Sequence, residues 1–542
     1  MPRNTPYTPP SGPARASWAT LLVVLGVALA VRLWLFFGLS GSDDATYSRR
    51  GLEVALGLWL PSDYIGDLRY GMNLPIAASL KLLGMNTAGL AGWGLLCSLA
   101  EIALVYLFAE RAWGRRAAVF AGLILIVIPI HLSSATNMWA DAPFSFFLTT
   151  SALLLWSGVK SGRAATILGA GLACGLAGWV KPEPAVVFGL TLTLLALIHL
   201  RDRRQLLWIF AGGILAAIPN LILFAWAFGD PLYYLHAGTR NLQANFIENA
   251  APWGDHSATY YFRQLFLDGR SFWLAPLLAV PGMALALFKG STEERQAGRY
   301  ATLWAVLIVL SFSFFVYSVS PLRLIPKQQN YALIFAAPVA LLAGLALARV
   351  WPALAMVILA PLVVGSLMLT TLDGYSRHLH GETNFASIRF ARQHPDAVVF
   401  VGQQAANLNA VLSLMGRDHA ANLRLLSELA PARGEASPLP LERPHFVAIH
   451  PNWPESRGRA GKRLKGESAR CLRPVEEAVG TPNITESMVT GLVARLRSVL
   501  PAAIDRQVSF TDEVLKPQPV RFHALDSACF NQGATQLACV RE

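Results

Sequence analysis

WATLLVVLGVALAVRLWLFFGLSGSDDATY, residues Trp18 to Tyr47, sets an apolar run directly against two adjacent carboxylates, Asp43 and Asp44. The run from Trp18 to Leu39 meets the ~20 residues that a helix needs to cross a bilayer. It follows basic Arg3 and Arg15 and is too long for a signal-peptide core, so it reads as an uncleaved anchor. Unpaired carboxylates beside a bilayer are costly, and a pair of them marks a functional site by default. The competing reading is local. Ser42 or Asp43 accepts hydrogen bonds from the first turn of an interfacial helix, Ala45 to Trp59, and the carboxylates complement its dipole.

Outward from this stretch the rest of the chain is of one kind. It is 54% hydrophobic and 14% charged, with a mean hydropathy of +0.43, which excludes a soluble globular protein and requires several spans. Eleven are expected: Trp18 to Leu39, Ala88 to Ala109, Ala117 to Ile130, Pro143 to Val159, Ala164 to Trp179, Ala185 to Leu200, Leu206 to Phe228, Phe272 to Phe288, Tyr300 to Val319, Ala332 to Ala348 and Trp351 to Thr371.

Alternate connections are rich in arginine and lysine. Arg111, Arg115, Arg116, Lys160, Arg163, Arg201, Arg203, Arg204, Lys289, Arg295, Arg299 and Arg349 mark them as cytoplasmic, together with the N-terminal tail. This bias accounts for most of the net charge of +12, so nothing points to nucleic acid. The other connections face outward, and they hold the unusual residues: Asp43, Asp44, Tyr47 and Tyr70; Asp141; Lys181; Arg240 and His256; Arg323 and Lys327. Carboxylates, cations and aromatics on one membrane face suit a site at the lipid boundary.

Asp43-Asp44 with Tyr47, then Leu68-Arg69-Tyr70, Lys81-Leu82-Leu83-Gly84, Trp113-Gly114-Arg115-Arg116, Ala140-Asp141-Ala142-Pro143 and Val180-Lys181-Pro182 follow one another in order. This succession resembles the polytopic glycosyltransferases of the protein O-mannosyltransferase and aminoarabinose transferase type, which have the GT-C fold. The likeness is good over Arg32 to Leu200 and looser to Thr371. It implies an α-helical polytopic membrane protein of about eleven transmembrane helices, GT-C type, over residues 1–371. By the same likeness Asp43 matches the active-site carboxylate, with Asp44 where glutamate is usual. Asp141 matches a second acidic residue of the cavity and Lys181 a lysine near the membrane surface. Tyr47, Tyr70 and His256 fall in stretches of the pattern that meet substrate. Without the likeness, Asp141 reads as a helix start ahead of Pro143, and Lys181 as a snorkelling lysine paired with Glu183. The chain also departs from the pattern. Gly71-Met72-Asn73-Leu74-Pro75 stands where aminoarabinose enzymes carry Glu-Lys-Pro-Pro, and Thr46 where a basic residue is expected. A candidate metal ligand and two donor-phosphate contacts are thereby missing, which points to another sugar or acceptor.

The implied donor is a polyprenyl-phosphate sugar, and the acceptor a lipid, glycan or protein. Phosphate leaves as a stable anion and needs cations more than a general acid. Lys181, Arg323, Lys327 and Arg240 are the outward cations. An acceptor hydroxyl needs a base, which a partly desolvated carboxylate supplies, and Asp43 is assigned that role. Single displacement inverts the anomeric centre. The residues call for no cofactor, and a divalent metal stays open. A flippase or transporter of lipid-linked saccharide is the alternative, but it calls for internal repeats and interrupted helices, and no repeated half is visible. Arg32 and Glu101 lie within spans and read as a buried structural pair or as contacts to a neighbouring helix.

From Leu372 the composition becomes that of a soluble domain, residues 372–542. Ala397 to Gly402 and His445 to His450 read as buried strands, Asn407 to Met415 and Glu486 to Leu500 as amphipathic helices, giving a small α/β module. Arg457 to Arg473 carries seven Lys or Arg against one Glu, a solvated loop or a patch for anionic lipid or a phosphorylated acceptor. Of five cysteines, Cys471, Cys529 and Cys539 lie in this domain, where Cys529 with Cys539 is the expected bridge, although sequence leaves the pairing open.

Overall fold

The computed structural model describes residues 14–62, 64–242, 257–320, 322–429, 442–450, 469–499 and 519–531, with Leu439 and Leu464 besides. His256 and most of the basic run from Arg457 lie outside them. Each of the eleven expected spans contains a helix, as their apolar runs require. They are α1 (Ala14–Trp34), α4 (Thr87–Trp113), α5 (Arg115–Val127), α7 (Asp141–Ser161), α8 (Ala164–Val180), α9 (Pro182–His199), α10 (Leu206–Phe228), α14 (Ala275–Phe288), α15 (Thr292–Phe314), α16 (Ala336–Ala348) and α17 (Pro352–Gln393). Among the described residues seven helices have the length and hydropathy of a span. An eighth is the bent pair formed by α5 and α6 (Pro129–Thr136), and three shorter apolar helices add to these. The chain is a multi-pass membrane protein. Where α8 and α10 cross, a side chain at Gly171 would meet the Ile209 carbonyl, and one at Gly212 the Leu168 carbonyl. Small residues there let the backbones approach in the absence of a hydrophobic drive between helices.

Four departures from the expected pattern shape the end of the bundle that carries Asp43 and Asp141. The helix after the first span, α2, runs Asp43–Ala55, beginning and ending earlier than expected. Ser42 is its N-cap residue but makes no side-chain cap bond, so the local capping reading loses its main contact. A further helix, α3 (Tyr70–Leu83), fills what reads as loop; it is too short to cross a bilayer and packs between α2 and α4. The third span breaks by 60° between Val127 and Pro129, because a residue before proline is driven out of the helical region: Ile128 has ψ 120°. The ninth span ends at Phe314, and its expected last residues instead form a hairpin, β1 (Val316–Val319) with β2 (Leu322–Leu324).

The last helix does not stop at Thr371. α17 continues unbroken to Gln393, so no linker separates the two expected domains at residue 372. Beyond it, β3 (Val398–Val401), β4 (Leu423–Leu425), β5 (His445–Ile449), β6 (Leu472–Ala478) and β7 (Val520–Leu525) form a sheet of order β4-β3-β5-β7-β6. β3 is parallel to β4 and β5, while β7 is antiparallel to β5 and β6. The strands alternate as pleating demands. Val399 and Val401 pack under the end of α17 and α18 (Gln403–Leu414), and Phe400 and Val447 face the opposite core with Leu525 and Phe530. The expected α/β module is present, with α19 (Ile484–Val499) as its second helix. Its disulfide differs from expectation: Cys471 pairs with Cys529, and Cys539 lies outside the described residues.

Candidate active site

Where one end of the helical bundle meets the C-terminal domain there is a cavity of about 690 Å³. Asp43 and Tyr47 of α2 and Asp141 at the start of α7 form one wall. Asp43 is exposed to the cavity, and its Oδ1 accepts a 3.2 Å hydrogen bond from the Tyr64 hydroxyl. Its neighbour points elsewhere. Asp44 is fully buried, with Oδ2 accepting from the Ser40 amide at 2.5 Å and from the Gly41 amide at 3.3 Å, and Oδ1 from the Ser40 hydroxyl at 2.9 Å. Burial raises its carboxyl above the usual carboxylate range, against these hydrogen bonds. Asp44 therefore ties the chain leaving α1 to α2, and it is Asp43 alone of the pair that meets the cavity.

Behind this wall lie two cations. Lys181 Nζ donates to Asp141 Oδ1 at 2.6 Å, with both side chains buried, and stands 5.3 Å from the centre of the Tyr331 ring. The lysine's partner is thus Asp141, and not Glu183 as the local reading has it. Arg69 hydrogen-bonds the Tyr47 hydroxyl and packs on that ring. Arg69 lies at the end of the turn between α2 and α3, and the Leu68-Arg69-Tyr70 motif by itself assigns it no role.

The opposite wall comes from residues that the sequence reading did not single out. Ser133 of α6 donates to Asp373 Oδ2 at 2.6 Å; Arg377 reaches both oxygens of Asp373, at 3.0 and 3.2 Å, and lies 3.9 Å over the Trp139 ring. Arg270, on the short α13 (Gly269–Phe272) that follows α12 (Tyr260–Phe266), joins them on the cavity surface. Above, Gln404 of α18 and His450 after β5 form a roof; His380 hydrogen-bonds Gln404, and its ring centre is 5.3 Å from that of His450. Asp373 and Arg377, four residues apart just beyond the last apolar run, were the available signal.

The remaining candidates lie off the cavity. Tyr70 sits in a buried aromatic cluster, 5.7 Å from Trp59 and 5.5 Å from Phe224. Arg240, on α11 (Tyr233–Leu242), stacks over Tyr233. Lys327 is buried with Nζ 3.4 Å from the Ile325 carbonyl, although Gln328, Gln329 and Asn330 after it line the cavity. Arg323 belongs to strand β2. Arg32 and Glu101 are joined inside the membrane region through His131, at 3.0 and 3.4 Å, confirming a buried structural contact. Among the described residues no group of three or more His, Cys, Asp and Glu comes together as a metal site.

Residues 71–226, under a third of the chain, match the family model "Dolichyl-phosphate-mannose-protein mannosyltransferase". The undecaprenyl phosphate-alpha-4-amino-4-deoxy-L-arabinose arabinosyl transferase of Pseudomonas aeruginosa (strain UCBPP-PA14) is 25% identical over 320 residues, covering 55% of each chain. That of Pseudomonas paraeruginosa (strain DSM 24068 / PA7) is 26% identical over 353 residues, 62% of this chain and 60% of the relative. The matches thus span little more than half the length of these relatives. Among solved structures, ArnT from Cupriavidus metallidurans bound to undecaprenyl phosphate superposes with a TM-score of 0.55 at 15% identity, over 87% of this chain and 97% of that one. The apo oligosaccharyltransferase of Archaeoglobus fulgidus gives 0.50 at 12% identity, over 94% and 89%. The fold is therefore the GT-C fold that the ordered motifs resemble.

Proposed function

We propose that this GT-C chain is a glycosyltransferase that moves a sugar from a polyprenyl-phosphate donor to an acceptor at the outer face of the membrane, with inversion. The observation that carries the reading is the cavity between helices and soluble domain, on whose wall an exposed carboxylate, Asp43, stands in front of two cations, buried Lys181 and half-buried Arg69. A donor anchored in the bilayer reaches such a cavity from the side, and the relatives' names specify donors of that class.

In this reading Asp43 takes the proton of the acceptor hydroxyl. Its hydrogen bond from Tyr64 fixes the rotamer and leaves a second oxygen for the substrate. Lys181, held by Asp141, and Arg69, held by Tyr47, supply positive charge where the phosphate departs; Arg270 and Arg377 do so from the facing wall. Arg323, Lys327, Arg240 and His256 stay as proposed outer contacts of the donor or acceptor. The acceptor class is set by the second wall and the roof, of which Arg270, Asp373, Arg377, Gln404 and His450 lie outside the matched residues 71–226.

Asparagine has the shape of aspartate without its basicity. Asp43→Asn is expected to lower transfer of a labelled sugar from polyprenyl phosphate by ~100-fold or more, per folded protein. Near-normal turnover removes Asp43 as the base. A small but definite loss identifies a phosphate as the acceptor, since its oxygen is already nucleophilic.

A further inference from the structure

Helix α19 carries an apolar stripe that nothing among the described residues covers. Ile484 is 81% exposed, Met488 71%, Leu492 47% and Leu496 44%, spaced by four residues along one side of the helix. Glu486 and Val493, on the other side, are buried. Side chains four apart follow each other along one face with slow drift, so these four form a single ridge. Arg495 is exposed beside it, and Val475 and Val479 at the end of β6 add exposed apolar surface just before it.

The helix is built and placed by specific contacts. Asn483 Oδ1 accepts from the Glu486 amide at 2.9 Å, while Glu486 Oε2 accepts from the Asn483 amide at 2.8 Å, a reciprocal cap. The same carboxylate lies 2.9 Å from His378 Nδ1 on α17. A side chain at Gly480 would come to 3.0 Å from the Leu379 backbone, so glycine eases the close approach of the preceding loop to α17. His378 lies seven residues beyond Thr371, the end of the expected span, or about 10 Å along the helix. The start of α19 is therefore pinned within about 10 Å of the bilayer surface, next to the lipid-facing side of α17, where Met356, Val357 and Val364 are exposed.

We infer that the Ile484–Met488–Leu492–Leu496 face of α19 docks on the outer leaflet of the membrane that the helices cross, with Arg495 at the anionic headgroups. An amphipathic helix close to a bilayer buries its apolar side at the headgroup–acyl boundary, and basic neighbours add attraction to anionic lipid. Through Glu486 and His378 the bilayer thereby sets the height of the soluble domain, and with it the roof residues Gln404 and His450. The inference rests on the outward orientation in the proposed function but needs no catalytic step.

The test uses the full chain in vesicles of phosphatidylethanolamine and phosphatidylglycerol, with Cys97, Cys174 and Cys539 replaced by alanine and a nitroxide on Met488→Cys. Dissolved oxygen is expected to relax the label more strongly than a water-soluble nickel chelate, and Leu492→Cys should give the same order. Ile484→Ser with Leu496→Ser should at least halve that depth signal while the exposed positions leave the fold intact. Stronger relaxation by nickel at both labels overturns the proposal. So does shielding from both reagents accompanied by spin–spin broadening, which identifies a second copy of the chain as the occupant. Loss of sugar transfer by Asp43→Asn leaves these signals unchanged, so failure of the proposed function is told apart from failure of docking.

Discussion

At the residue scale the cavity depends on pairs, and a pair is worth most where water is excluded. Asp141 and Lys181 are both buried, so removing one partner leaves the other as an uncompensated charge, at a cost of ~3–5 kcal/mol. Asp141→Asn and Lys181→Gln alone are each expected to lower the thermal midpoint in detergent. The double change, which leaves no charge behind, should recover much of it. Transfer should stay low in all three, because the cation is lost or misplaced. An unchanged midpoint in both single variants would mean that water reaches the pair. The residues of this first wall were legible in the sequence because each sits within a few positions of a helix start: Asp43, Tyr47 and Asp141 are placed by short local motifs. Arg377 and His450 were not, since they reach the cavity only through the path of α17 and the pairing of β5. Nor does hydropathy distinguish Asp43 from Asp44, whose opposite fates follow from where the Ser40 amide points.

Among the elements, apolar runs located the eleven helices but not their ends, because an end is decided by backbone chemistry and tertiary contacts. The break between α5 and α6 shows why. Ile128, extended before Pro129, turns the chain so that Pro129, Ile130 and Ser133 face the cavity. Pro129→Ala permits one straight helix, which swings Ser133 away from Asp373. Straightening moves Ser133 by several Å, so transfer is expected to fall by ~100-fold or more per folded protein, since a displacement of even about 1 Å costs as much. A crystal or electron-microscopy structure of the variant that keeps the 60° bend would show instead that packing, rather than proline, sets it. Met138, with φ 54° just before Trp139, is a second such turn: a non-glycine residue held in the left-handed region brings the indole under Arg377.

For the whole molecule, the soluble domain completes the cavity, and so its integrity is part of the site. The Cys471–Cys529 bridge joins the start of β6 to the segment after β7, across a separation of 58 residues. Closing a loop of that length stabilises by about 2–4 kcal/mol. Cys529→Ser is expected to make this domain sensitive to trypsin in vesicles while the membrane helices remain protected, and to lower transfer in parallel. Full transfer with a digested domain would make the roof dispensable. The domain's strands and helices were readable from alternation and amphipathicity, but its attachment was not, because composition changes at Leu372 while the backbone does not. α17 is one rod of 42 residues, about 63 Å long at 1.5 Å per residue, running from the membrane through the cavity wall into the sheet's core. Such a rod is a lever. Tilting it by about 5° moves its far end by roughly 5 Å, and the tilt of a span follows the thickness of the hydrocarbon around it. Any such tilt of α17 is carried to the domain that holds Gln404 and His450, so the two ends of the cavity move with one helix.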